Sequence, residues 1–165
     1  MSLDFCSPDE VPAEIKCYDK KIPQMDVGKA GKIGYLKIDL KRDSQKNKTL
    51  ITHQKSQVPL FIQKALYYDE SIPSMAHLFI LSPSGGILQG DRYRTDVTLS
   101  DNAVSHITTQ GATRIYKMDS NYATQIINLS VKENSYLNLF QNNLFHIKIL
   151  DIIKKLILML TKVQH

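Results

Sequence analysis

The sequence predicts a mainly β protein with layered mixed and antiparallel sheets, on three observations. From Gly34 onward, Leu36, Ile38 and Leu40 alternate with Lys37, Asp39 and Lys41, the period of a strand with one buried face. Turn signals then recur at short, regular intervals as far as about Leu137. Between them, residues 77–81 form a continuous apolar run, as expected of a strand covered on both faces.

Taken in order, residues 1–32 carry Pro8, Pro12, Pro23, Gly28 and Gly31 among charged residues, which breaks any helix and reads as a polar arm. The strand from Gly34 ends in a polar turn at residues 42–48. Residues 49–53 and 60–64 are short runs rich in β-branched and aromatic side chains, and the apolar run 77–81 follows. Tyr93, Thr95, Val97 and Leu99 alternate, residues 100–102 turn, and residues 104–109 resume extended structure. Residues 124–131 give a further strand, ended by Glu133 and Asn134. The last stretch changes period: Ile149, Ile152, Ile153, Leu156, Ile157, Leu160 and Val163 recur at helical spacing, which predicts a C-terminal amphipathic helix too interrupted by charge to span a bilayer.

The chain has 165 residues, 42% of them hydrophobic, enough for one domain with a real core. Its formal net charge of +5 is spread along the sequence with both signs interspersed, so no basic patch points to nucleic acid. Cys6 and Cys17 match neither a zinc knuckle nor a redox pair, and the first twenty residues lack a secretory pattern. The expectation is a cytoplasmic protein with free thiols, without a membrane or nucleic-acid partner. His53, His77, His106, His146 and His165 show no paired helical spacing, and no serine or cysteine sits in a nucleophile elbow, so nothing argues for an enzyme.

The densest local signal is SPSGGILQGDRYRTD, residues 82–96, which holds Gly85, Gly86 and Gly90 within six positions and then Asp91. A phosphate cradle of the P-loop kind needs a lysine and a hydroxyl residue directly after its last glycine, and here Asp91 and Arg92 follow instead. An alternating, strand-like segment comes next, which also excludes a dinucleotide fingerprint. Two readings remain. In one, the glycines take positive φ or close backbone contacts in a connection between strands, and Asp91 accepts local N–H bonds. In the other, bare backbone and the Asp91 carboxylate offer hard oxygen to a passing cation.

Four stretches in order, GYLKIDL, VPLFIQKALYYDE, HLFILSPSGGILQGDRYRTDVTL and HITTQGATRIYKM, resemble the urease accessory proteins UreD, called UreH in some organisms. The resemblance covers about residues 33–137, and its specificity lies in two motifs in the right order: the glycine turn closing in Gly-Asp, and Thr108, Thr109 and Gln110 leading to an aromatic. It implies a non-enzymatic chaperone that docks on the urease apoprotein, recruits UreF and the GTPase UreG, and passes nickel toward the urease active site through a water-filled tunnel. Nickel would be cargo, with no tightly bound cofactor. The resemblance makes Asp91 and Thr113 candidate lining groups of that path. Oxygen ligands suit transit, because a nitrogen or sulfur cage would trap nickel.

Beyond Leu137 the chain departs from the family, whose members are roughly twice as long. If one nucleotide is restored after the codons for Tyr136 and Leu137, permitted codons can be reread as YLEFIPEQFIPYKN and onward, which looks like the family's continuation. The expectation is therefore a frameshift, with residues 33–137 a partial UreD-like β domain and 138–165 an out-of-frame helical tail. The alternatives are a stand-alone β interaction module and a truncated product without function.

Overall fold

A computed structural model describes residues 32–118, 122–141, 145–150 and 153–160. Of the expected arm, residues 1–32, all but Lys32 lies outside the described residues. Ten strands follow: β1 (Ile33–Asp43), β2 (Lys48–Gln57), β3 (Phe61–Ile62), β4 (Ala76–Leu81), β5 (Arg92–Leu99), β6 (Val104–Thr109), β7 (Ala123–Val131), β8 (Tyr136–Gln141), β9 (Phe145–Leu150) and β10 (Ile153–Leu160). The mainly β expectation holds, and no helix occurs among the described residues.

The strands form two five-stranded sheets, ordered β10-β7-β5-β1-β2 and β3-β4-β6-β8-β9. Each has a parallel centre, β1, β5 and β7 in the first and β4, β6 and β8 in the second, flanked by antiparallel neighbours. Parallel neighbours cannot be joined by a tight turn. Here the crossover from β5 to β7 is β6, a strand of the opposite sheet, and β5 and β7 in turn connect β4, β6 and β8. The chain therefore winds alternately through both layers, which explains closely spaced turns in a sheet whose centre is parallel.

The expected alternation places Leu36, Ile38 and Leu40 of β1 in the core, together with Tyr93, Val97 and Leu99 of β5 and Ile127, Leu129 and Val131 of β7. Leu78, Ile107, Leu137 and Leu139 of the second sheet belong to the same cluster, so one core lies between the layers. On the opposite face of the first sheet, Asp96 accepts from Arg94 Nε at 2.9 and 3.1 Å, from Asn128 Nδ2 at 2.6 Å and from the Tyr35 hydroxyl at 2.9 Å. Alternation alone assigned that face to solvent; instead a paired, hydrogen-bonded charge is buried there.

At one end of the sandwich the connections are short, residues 100–103 and 132–135, and Asn102 and Asn134 supply left-handed φ of 61° and 53°. At the other end they are long, residues 82–91 between β4 and β5 and 110–122 between β6 and β7.

The expected C-terminal helix is corrected. Phe145–Leu150 pairs antiparallel with β8, and Ile153–Leu160 pairs antiparallel with β7 in unbroken register. An apolar run dense in isoleucine and leucine satisfies the helical and the strand pattern alike. The backbone decides, because β7 and β8 would otherwise leave rows of N–H and C=O groups unpaired at a sheet edge. Val163, the last position of the expected helix, lies outside the described residues.

Candidate functional site

The two long loops meet. The Ile87 N–H donates to the Arg114 carbonyl at 2.8 Å and the Tyr116 N–H donates to the Ile87 carbonyl at 3.0 Å, a parallel bridge that stitches the glycine loop to the segment after Gln110. Gly86 is required by this contact: a Cβ there would lie 2.7 Å from the Arg114 carbonyl oxygen and from Tyr116 Cε2. Gly85 and Gly90 take φ of 74° and 78°, the left-handed region that favours glycine. The reading of this stretch as a glycine-dependent connection between strands thus describes its geometry.

Asp91 closes the loop. Its side chain is fully buried, and its Oδ1 accepts from the Lys32 N–H at 2.8 Å. Its Oδ2 accepts from the Leu88 N–H at 2.9 Å and from the Tyr93 hydroxyl at 3.0 Å, with Lys32 Nζ at 3.7 Å. The Thr124 N–H donates to the Asp91 carbonyl at 2.8 Å, and the Gly90 N–H donates to the Tyr122 carbonyl at 2.9 Å. A carboxylate in water would exchange freely among donors, whereas this one ties the start of β1, the loop and β5 together.

Under the bridged loops lies a cavity of about 290 Å³ between the two sheets, at the C-terminal ends of β4, β6 and β8 and the starts of β5 and β7. Gly85 and Gly86 form part of its wall, as do Thr108, Thr109, Gln110 and Thr113, so the two sequence motifs converge on one space. Within the motif the Thr109 hydroxyl donates to the Gly111 carbonyl at 2.9 Å, and the Gln110 N–H donates to the Ile80 carbonyl at 3.2 Å. Asp91 and Gly90 are not on the wall. Asp91 lies behind Tyr93, whose ring does line the cavity.

Tyr93, Thr95 and Gln125 are wall residues that sequence reasoning did not single out. A signal existed for the first: Asp91 and Tyr93 stand two apart at the entry to a strand, and so share a face. Burial pushes the Tyr93 phenol well above its ordinary 10.0, and the Asp91 charge adds to that. The phenol therefore stays neutral, and donating to a carboxylate makes its oxygen a better acceptor.

The polar residues of the lining are Ser82, Tyr93, Thr95, Thr108, Thr109, Gln110, Thr113 and Gln125, with the exposed Arg114. None of the described lining residues is a carboxylate, imidazole or thiol. Among the described residues no group of three or more His, Cys, Asp or Glu side chains is placed to hold a metal ion. Apolar side chains, among them Leu60, Ile80, Ile87, Ile127, Leu139 and Phe140, make up the larger part of the wall between these polar groups.

Among the described residues no helix is long and apolar enough to cross a membrane. The family model described as UreD urease accessory protein matches residues 32–145. The chain is 50% identical over 114 residues to the urease accessory protein UreD of Cenarchaeum symbiosum, an alignment covering 69% of this chain and 39% of that protein. It is 38% identical over 126 residues to the protein of the same name from Photorhabdus laumondii, covering 76% and 39%, and 41% identical over 124 residues to that of Yersinia enterocolitica, covering 75% and 37%. The chain thus spans about two-fifths of the length of the curated relatives it matches. A family match over most of the chain, spanning both loops that wall the cavity, leads to one conclusion: the chain belongs to the UreD family of urease accessory proteins.

Proposed function

We propose that this chain acts in the cytoplasm as a nickel-delivery chaperone in urease maturation, docking on the urease apoprotein together with UreF and UreG, and that it works without catalysis of its own. The observation that carries this reading is the convergence of residues from both family motifs on one cavity, mostly apolar, whose polar lining residues are hydroxyl and amide bearing apart from Arg114. Nickel is the cargo. Hydroxyl and amide oxygens replace part of its hydration shell without holding it as imidazole or thiolate would, which is what transit requires. Thr113 is one of the residues that line the cavity. Asp91 acts from behind the wall, through the hydrogen bond that polarises Tyr93 and through the negative potential it adds beneath the loop.

The test is co-expression of the chain with urease subunits and the other accessory proteins, followed by measurement of nickel bound per urease active site. Thr113→Val keeps the shape and removes the oxygen. The expected result is lower nickel occupancy with assembly of the accessory complex unchanged. Full nickel loading by Thr113→Val would remove Thr113 from the path, and full loading in the absence of this chain would remove the proposed function.

A further inference from the structure

His77 and His106 stand 29 residues apart in sequence, yet the parallel register of β4 and β6 makes them direct neighbours, with Asn138 of β8 next in the row. Leu78 and Ile107 point into the core, so the two histidines lie on the outer face of the second sheet, away from the cavity. Their ring centroids are 5.4 Å apart. The His77 side chain is buried, 5% exposed for the residue, and neither Nδ1 nor Nε2 has a hydrogen-bond partner. A buried ring with two unmet nitrogens costs stability that an apolar side chain would not. Tyr68 stacks over it at 4.1 Å between centroids and is itself 59% exposed. The next residue, Asp69, is near enough for its charge to act on His77, and its bonds to Ser71 and Ile72 all fall on Oδ1.

From this geometry we infer that His77 and His106 form a binding site for a first-row divalent cation of the nickel, zinc or copper class, separate from the cavity. A metal about 2.0–2.1 Å from an imidazole nitrogen lies roughly 3.2 Å from the ring centroid. Two rings bound at adjacent positions of one ion therefore have centroids roughly 4.5–5.2 Å apart. The observed 5.4 Å is close to that separation. Imidazole is the ligand type that suits this class of ion. The Tyr68 ring, on an exposed loop, is the cover that moves aside, and Asp69 supplies negative charge at the entrance. With two protein nitrogens and water in the other positions, the site is labile.

The test is calorimetric titration of nickel(II) or zinc(II) chloride into the untagged 165-residue chain, compared with His106→Gln and His77→Gln. The wild type is expected to bind one equivalent, each substitution is expected to weaken binding at least about tenfold, and Thr113→Val is expected to leave it unchanged, which keeps this site distinguishable from the cavity. Cobalt(II) as a spectroscopic probe should show imidazole coordination that His106→Gln abolishes. His106 is only partly buried, so His106→Gln decides the matter even if His77→Gln fails to fold. Absence of a one-equivalent site in the wild type, or equal affinity in His106→Gln, would overturn the inference.

Discussion

Replacing Asp91 by alanine removes the acceptor for the Lys32 N–H, the Leu88 N–H and the Tyr93 hydroxyl at once, and leaves Lys32 Nζ without its carboxylate. A buried donor left without a partner costs about 1–3 kcal/mol. The space vacated by the carboxylate is polar, and three converging donors can hold a water, so the lower part of that range applies to each. The expected destabilisation is about 3–5 kcal/mol, a large fraction of the roughly 5–15 kcal/mol that holds a domain together. For a chain of this size that corresponds to a fall in Tm of about 10 °C or more. Asp91→Asn keeps one carbonyl acceptor and turns the other oxygen into a donor facing N–H groups, so about half the loss is expected. The assay is urea unfolding of the wild type and both variants at neutral pH, followed by circular dichroism, with the midpoints compared at equal slope. A loss below about 1 kcal/mol in Asp91→Ala would refute the clamp reasoning. The same arithmetic explains why lost urease activation in Asp91→Ala cannot by itself establish a nickel ligand: the loop that walls the cavity would be loosened in the same variant.

Two further outcomes test other parts of the structure. Gly86→Ala places a Cβ 2.7 Å from the Arg114 carbonyl, so the bridge at Ile87 must open; a loss of about 1–3 kcal/mol in thermal unfolding is expected, with faster amide exchange at Ile87 and Tyr116. Burial, the hydrogen bond to Asp96 and the Asp96 charge push the Tyr35 phenol up to about 12 from its ordinary 10.0, so between those values the folded state binds more protons than the unfolded one. Stability should therefore be intact below pH 10 and fall as pH rises through that window, as measured by urea midpoints; Tyr35→Phe should make the slope shallower, leaving the shares of the raised Tyr67 and Tyr93 phenols, and lower stability at neutral pH by about 1 kcal/mol.

The strands through β7 were legible because each carries its own record of burial: alternation in β1 and β5, an unbroken apolar run in β4, and turn residues between. Arg94 and Asp96 were not, since alternation assigns a polar residue to solvent and cannot foresee that Tyr35 and Asn128 from neighbouring strands will meet it. The tail misled for a related reason. Isoleucine and leucine at residues 153–160 fit a helical face as well as a strand, and only the open edge of β7, a tertiary fact, selects between them. His77 and His106 escaped notice because a search for paired spacing along one element cannot find residues that a parallel register sets side by side.

The site was half legible, and the winding of the chain explains which half. Sequence order alone revealed two motifs, the glycine turn with Asp91 and the Thr108–Thr109–Gln110 stretch with Thr113, but it gave no reason for them to touch. Because β4 and β6 run parallel in one sheet while β5 and β7 return through the other, the crossings from β4 to β5 and from β6 to β7 occur at the same end. The loops after β4 and β6 are two such crossings, adjacent because β4 and β6 are paired, and the Ile87–Ile115 bridge is their direct contact. A cavity between the layers at that end is then walled by whatever these loops contribute. The division of labour follows from position within each loop. Asp91, at the point where the chain re-enters a strand, is turned inward onto backbone donors and fixes the loop, whereas Thr113, in mid-loop, stays partly exposed on the wall. On this geometry the residue that most directly tests the proposed path is Thr113, and the residue that most directly tests the architecture of the cavity is Asp91.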